Sequence, residues 1–149
     1  MIEQNGVEKS RRDQNLLRTN WTRRCIGAAA ALFPVLLLIA SIIVGINGLH
    51  VGLAGGMAVM FAAGLIGMLN FYLSFVRGYL YVKRHGSRDG YRHVSGFPLI
   101  GTVLVLIGAA LGFGEIPTAI LGLVVMSVDT GGSVWFLIAT WRDASFWDA

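Results

Sequence analysis

Ser127-Val128-Asp129-Thr130-Gly131-Gly132-Ser133 lies inside an otherwise apolar run covering residues 116–141. About 20 apolar residues rising 1.5 Å each cross the ~30 Å hydrocarbon layer of a bilayer, so the run is long enough to span one. A carboxylate within such a span costs roughly 2.5–3.5 kcal/mol on insertion scales, which means that Asp129 needs a partner or a task. The run therefore reads as a membrane helix whose small and polar face, with the acid, meets other helices while the oily residues face lipid.

The rest of the chain fits that class. Of its 149 residues, 55% are hydrophobic and 13% charged, and its mean hydropathy is +0.67. These values exclude an ordinary soluble domain, and the length excludes more than one compact unit. Three further apolar runs cover residues 25–46, 51–76 and 97–113, and the last span itself is placed at 117–141. The first is long enough for a retained anchor, and Pro34 should kink it because it cannot bond the Ala30 carbonyl. The second should leave the bilayer and extend to residue 83. The third should be capped by Ser95, with Pro98 tolerated in its first turn. Residues 1–24 form a basic segment and 143–149 a tail. The predicted fold is all-α: an integral membrane four-helix bundle.

Every one of the 12 Lys and Arg residues falls at one end of that bundle: before the first span, around the loop between the second and third, or at Arg142. The short turns at Asn47-Gly48-Leu49-His50 and Gly114-Glu115-Ile116-Pro117 carry none. By the positive-inside rule both termini and the basic loop are cytoplasmic, as expected of a multi-pass protein of the bacterial inner membrane. Trp21, Tyr79, Tyr81, Trp141 and Trp147 would form an aromatic belt on that side. So lopsided a charge distribution excludes the dual-topology small multidrug exporters and fluoride channels. The basic residues also suit anionic lipid headgroups better than nucleic acid.

On a 3.6-residue period, Asp129 shares a face with Thr118, Gly122, Val125, Ser133, Phe136 and Thr140, while Ile120, Val124, Val134 and Ile138 lie opposite. Gly52, Gly56, Gly67, Asn70 and Arg77 mark the matching face of the second helix, and Gly101, Gly108 and Gly112 that of the third. With Gly122 and Gly132 these glycines are the expected sites of close helix packing. Asp129 lies ~18 Å below Pro117 and Asn70 ~22–28 Å below the start of its span, so Asn70 is the preferred partner of Asp129. Ser133 and Thr130 come next, and Arg77 is expected to reach the headgroups.

No catalytic constellation accompanies Asp129. Asp129-Thr130-Gly131 matches the aspartic-protease signature, but that chemistry needs a second carboxylate and the other acids lie outside the spans. His50, His85 and His93 are scattered, and Cys25 is the single cysteine, so neither a metal centre nor a cofactor is expected. The chain does not read as an enzyme.

His93-Val94-Ser95-Gly96-Phe97-Pro98-Leu99-Ile100-Gly101, and Asp129-Thr130-Gly131-Gly132 followed by Trp135-Phe136, resemble segments of small four-span bacterial inner-membrane proteins. Some of these look like immunity partners of secreted toxins. The likeness covers about twenty residues and brings no catalytic motif. It implies a non-enzymatic protein that neutralises a membrane-acting or membrane-crossing toxin. The residues themselves leave two alternatives: a small channel or transporter subunit, homo-oligomeric in one version, with a polar pathway at Asp129 and Asn70, or an assembly subunit of a larger membrane complex.

Overall fold

The computed structural model describes residues 20–50, 52, 55–87, 89–92 and 96–148. All of its regular elements are helical: α1 (Trp21–Ile46), α2 (Gly56–Phe71), a π-turn (Tyr72–Val76), α3 (Arg77–His85), α4 (Ile100–Leu111), α5 (Ile116–Val128), α6 (Ser133–Thr140) and α7 (Ala144–Trp147). Three columns are long and apolar enough to cross a membrane: α1, the continuous stretch Gly56–His85, and α5 with α6. The fourth, α4, has 12 residues and reaches only ~18 Å.

The distribution of polarity is inverted. Ser41, Asn70, Thr102, Thr118, Asp129 and Ser133 are buried, whereas Ile43, Phe61, Leu65, Met68, Val124 and Ile138 are more than half exposed. An oily exterior around a polar interior suits apolar surroundings and, with three helices long and apolar enough to cross a membrane, suggests a membrane protein. Between these layers Leu38, Met60, Ala63, Val105, Ala109, Ala119, Val125 and Met126 form one apolar core. Small residues let the helices approach closely: a Cβ on Gly56 would lie 2.5 Å from the Gly112 nitrogen, and one on Gly122 2.6 Å from Leu38 Cδ2. Accordingly α2 packs mainly on α4 and then on α5.

Helix ends depart from the sequence expectations in several places. The first helix starts at Trp21, where the Asn20 side chain accepts from the Arg23 N–H, rather than at residue 25. The second starts at Gly56 and not at 51, because Gly55 is left-handed (φ 109°) and the Gly52 N–H is drawn away to the Phe113 carbonyl at 2.9 Å. It then runs to His85, where left-handed Gly86 stops it. The third begins at Ile100, which leaves Pro98 ahead of the helix and puts Leu99 in the left-handed region (φ 62°). Ser95 and residues 1–19 lie outside the described residues. The largest departure is in the last span, which breaks into α5 and α6 at residues 129–132.

Nor is the C-terminus a free tail. Asp143 caps α7 by accepting from the Ser145 N–H, and Trp147 is buried on Gly27, so it does not join the aromatic belt. Its indole donates to the Thr140 carbonyl at 2.7 Å. Asp148 accepts from Arg24 at 2.8 and 3.2 Å and from the Asn20 N–H at 2.9 Å. The Arg24 hydrogen bond, ahead of the one from Asn20, holds the Asp148 carboxyl below the usual range. A depressed carboxyl pKa stabilises the fold above its unfolded value and loses that contribution as pH falls through the folded one. Acidification below about pH 4 is therefore expected to release this clamp. Emission from Trp147, with the other three tryptophans replaced by Phe, should report the release, and Arg24→Gln should remove the acid transition.

Candidate functional site

Asp129 closes the last helical bond of α5, its N–H donating to the Val125 carbonyl at 2.8 Å. Its backbone then leaves the helical region (φ −70°, ψ 88°). A tight turn follows, in which the Gly132 N–H donates to the Asp129 carbonyl at 2.9 Å, and Gly132 is extended before α6 resumes. Breaking a helix inside hydrocarbon exposes backbone groups that must find internal partners. Here several of those groups have identified partners. The Gly131 carbonyl accepts from the Leu99 N–H at 2.9 Å, the Gly131 N–H donates to Asp129 Oδ1 at 3.1 Å, and the Ser133 N–H donates to Thr102 Oγ1 at 3.0 Å.

The second irregular segment, residues 96–99, runs alongside. Asn70 joins the two segments with its amide: Nδ2 donates to Asp129 Oδ1 at 2.6 Å and to the Phe97 carbonyl at 3.1 Å, while Oδ1 accepts from the Phe97 N–H at 2.7 Å. The amide thus pairs with Phe97 as a backbone peptide would in a sheet. Pro98 suits this segment because it has no N–H to satisfy. Left-handed Leu99 costs about 1–2 kcal/mol, offset by the bond from its N–H to Gly131.

Glycines enclose the cluster. A Cβ on Gly96 would strike Asn70 Oδ1, and one on Gly101 would strike Asp129 Oδ2. At Gly131 it would lie 2.6 Å from Asn70 Nδ2, at Gly67 3.3 Å from Asp129 Cβ, and at Gly132 3.1 Å from both Asp129 Oδ2 and Thr102 Oγ1. Gly67, Gly101 and Gly132, expected simply as packing positions, make room for a carboxyl and an amide. Asp129 is fully buried, and its Oδ2 has no hydrogen-bond partner among the described residues. That oxygen lies against the first turn of α4 and the start of α6.

The other sequence candidates are placed elsewhere. Thr130 bonds to Ser74 at 2.9 Å. Ser133 donates its hydroxyl to the Ala31 carbonyl at 2.8 Å, bridging to α1 instead of to Asp129. Arg77 lies over the Tyr91 ring at 5.9 Å. Sequence reasoning missed Phe97, Thr102, Gly96 and Gly131. Two signals could have found them: the double glycine after an acid, which is awkward in a helix interior, and a proline followed by the first residues of an apolar run. Among the described residues no group of three or more His, Cys, Asp or Glu side chains could hold a metal ion. No protein-family model, curated protein or solved structure matches the chain.

Proposed function

We propose that the chain is a non-enzymatic protein of the bacterial inner membrane, with both termini and the basic loop in the cytoplasm. Its function centres on Asp129, which binds a proton or a small monovalent cation as part of a channel or transporter subunit. The observation that carries this reading is the unpartnered, fully buried Oδ2 of Asp129 at a helix break. Ionisable groups inside membrane spans tend to mark ion or proton routes, and broken helices are a recurrent way of building such sites. Asn70 and Gly131 hold one carboxyl oxygen in place, which leaves the other free for exchange. The location of all Lys and Arg residues at one end supports the orientation.

The test is flux in liposomes under an imposed proton or sodium gradient. Wild type should conduct one of the two, and Asp129→Asn should fall to the level of protein-free vesicles. The substitution is isosteric, so it spares the packing and the Oδ1 bonds while removing the exchangeable site. A silent wild type would overturn the reading.

A second reading, toxin immunity, is favoured by one specific observation. Described parts of the two segments that resemble small four-span bacterial inner-membrane proteins, some of which look like immunity partners, meet at the Asn70–Asp129 cluster, where Leu99 bonds Gly131 and Phe97 bonds Asn70. In that case cells producing the cognate toxin should grow when the wild-type chain is expressed and should die with an empty vector. Absence of protection would sink this second reading.

A further inference from the structure

We propose that the start of α3 and its last turn form a binding site for the headgroup of an anionic phospholipid. The site is an open-sided depression of about 670 Å³, lined among others by Tyr72, Arg77, Leu80, Tyr81, Lys83 and Arg84. It depends on the chain spanning a bilayer and is independent of what Asp129 binds.

Depth is the first argument. Arg77 lies twenty-one residues past Gly56 on one continuous helical column, roughly 31 Å along its axis. That distance matches the ~30 Å thickness of the hydrocarbon layer, which places Arg77 at the level of the phosphates. The column changes character at the same point: Phe71, Tyr72 and Phe75 are exposed before it, and Lys83, Arg84 and His85 are exposed after it.

Charge is the second. Among the described residues Lys83 and Arg84 have no ion-pair partner, and the nearby Asp89 is engaged by Ser87 at 3.1 Å. Arg77 is positioned by the face of the Tyr91 ring, a contact that leaves its N–H groups able to donate. Cations in the last turn of a helix also complement its dipole, and that alone would explain Lys83 and Arg84. It does not explain Arg77, which opens α3 eight residues before its end. Two guanidinium groups and an ammonium lining one depression, with tyrosines beside them, suit the charge and acceptor oxygens of a phosphodiester at the interface. Tyr72, five residues before Arg77 and so on its hydrocarbon side, supplies the face of its ring as an apolar wall for the upper acyl segment. Inorganic phosphate shares the headgroup's chemistry but would gain nothing from that wall.

The experiment uses the full chain in micelles doped with equal amounts of dioleoyl phosphatidylglycerol and dioleoyl phosphatidylcholine, with retained lipid read by native mass spectrometry. Wild type should retain the glycerol lipid preferentially. The triple variant Arg77→Gln, Lys83→Gln, Arg84→Gln should lose most of that preference, at about five-fold per cation for the ~1 kcal/mol each contributes near a membrane surface. Neutralising Arg23 and Arg142, which do not line the depression, removes charge elsewhere and should leave most of the preference intact. The charge-conserving Arg77→Lys, Arg84→Lys variant should keep at least part of it, which separates binding from folding. The proposal is overturned if wild type shows no preference, if the Arg23 and Arg142 variant loses as much as the triple variant, or if excess inorganic phosphate displaces the lipid completely.

Discussion

Gly101→Ala is expected to destabilise the protein by about 3 kcal/mol, near the upper end of ordinary overpacking. The new methyl group would occupy the space of Asp129 Oδ2. The carboxyl cannot simply retreat, because its other oxygen is held by Asn70 at 2.6 Å and by the Gly131 N–H at 3.1 Å. Either α4 moves away from the break or the carboxyl rotates and gives up those bonds. Gly64→Ala provides the contrast. Its Cβ would meet only Val125 Cγ2, at 3.4 Å, and alanine favours the helix, so its effect should stay within about 1 kcal/mol in the stabilising direction. Thermal unfolding in detergent, followed by circular dichroism, measures both. If the collision is with the Asp129 side chain, Asp129→Ala should make room: the double variant should be no less stable than Asp129→Ala alone. Equal melting of Gly101→Ala and Gly64→Ala would show that the carboxyl has freedom that its bonding geometry denies.

What was legible in the sequence follows from what a 3.6-residue period records. It records which side of a continuous helix is small or polar, and so Gly56, Gly67 and Asn70 on α2, and Thr118, Gly122 and Val125 on α5, fall inside as the period requires. It cannot record a break, because residues 133–140 are as apolar as those before them. Carrying the period through residues 129–132 places Phe136 inside, yet it is 47% exposed, since the turn rotates α6 relative to α5. The pairing of Asn70 with Asp129 was accessible by counting depth along two helices taken to run in the same direction. Phe97 was not, because Asn70 bonds to its backbone, and a backbone bond leaves no trace in residue identity. The seat of Trp147 on Gly27 escaped for a different reason: it joins opposite ends of the chain, and no local pattern in either segment refers to the other.

Asn70→Leu should cost more than the loss of its bond to Asp129. Side-chain hydrogen bonds between membrane helices average only about 0.6 kcal/mol in double-mutant cycles, because partners separated in the membrane find other partners. Were Asp129 the whole reason for Asn70, the substitution would be mild. However, the Asn70 amide also serves both the N–H and the carbonyl of Phe97, in a non-helical segment where a backbone group left unpaired costs about 1–3 kcal/mol. With two such groups orphaned, a loss of about 2–6 kcal/mol is expected, and the bond from Leu99 to Gly131 should weaken with it. Asp129→Leu in the Asn70→Leu background separates the two contributions. The expected coupling between the sites is about 1 kcal/mol, so most of the Asn70 effect should survive when Asp129 is absent. A coupling as large as the whole effect of Asn70→Leu would mean that Asn70 is there for the carboxyl and that the segment at Phe97 holds its shape unaided. A coupling near the expected value would mean that Asn70 builds the irregular backbone in which Asp129, with its free oxygen, is then placed.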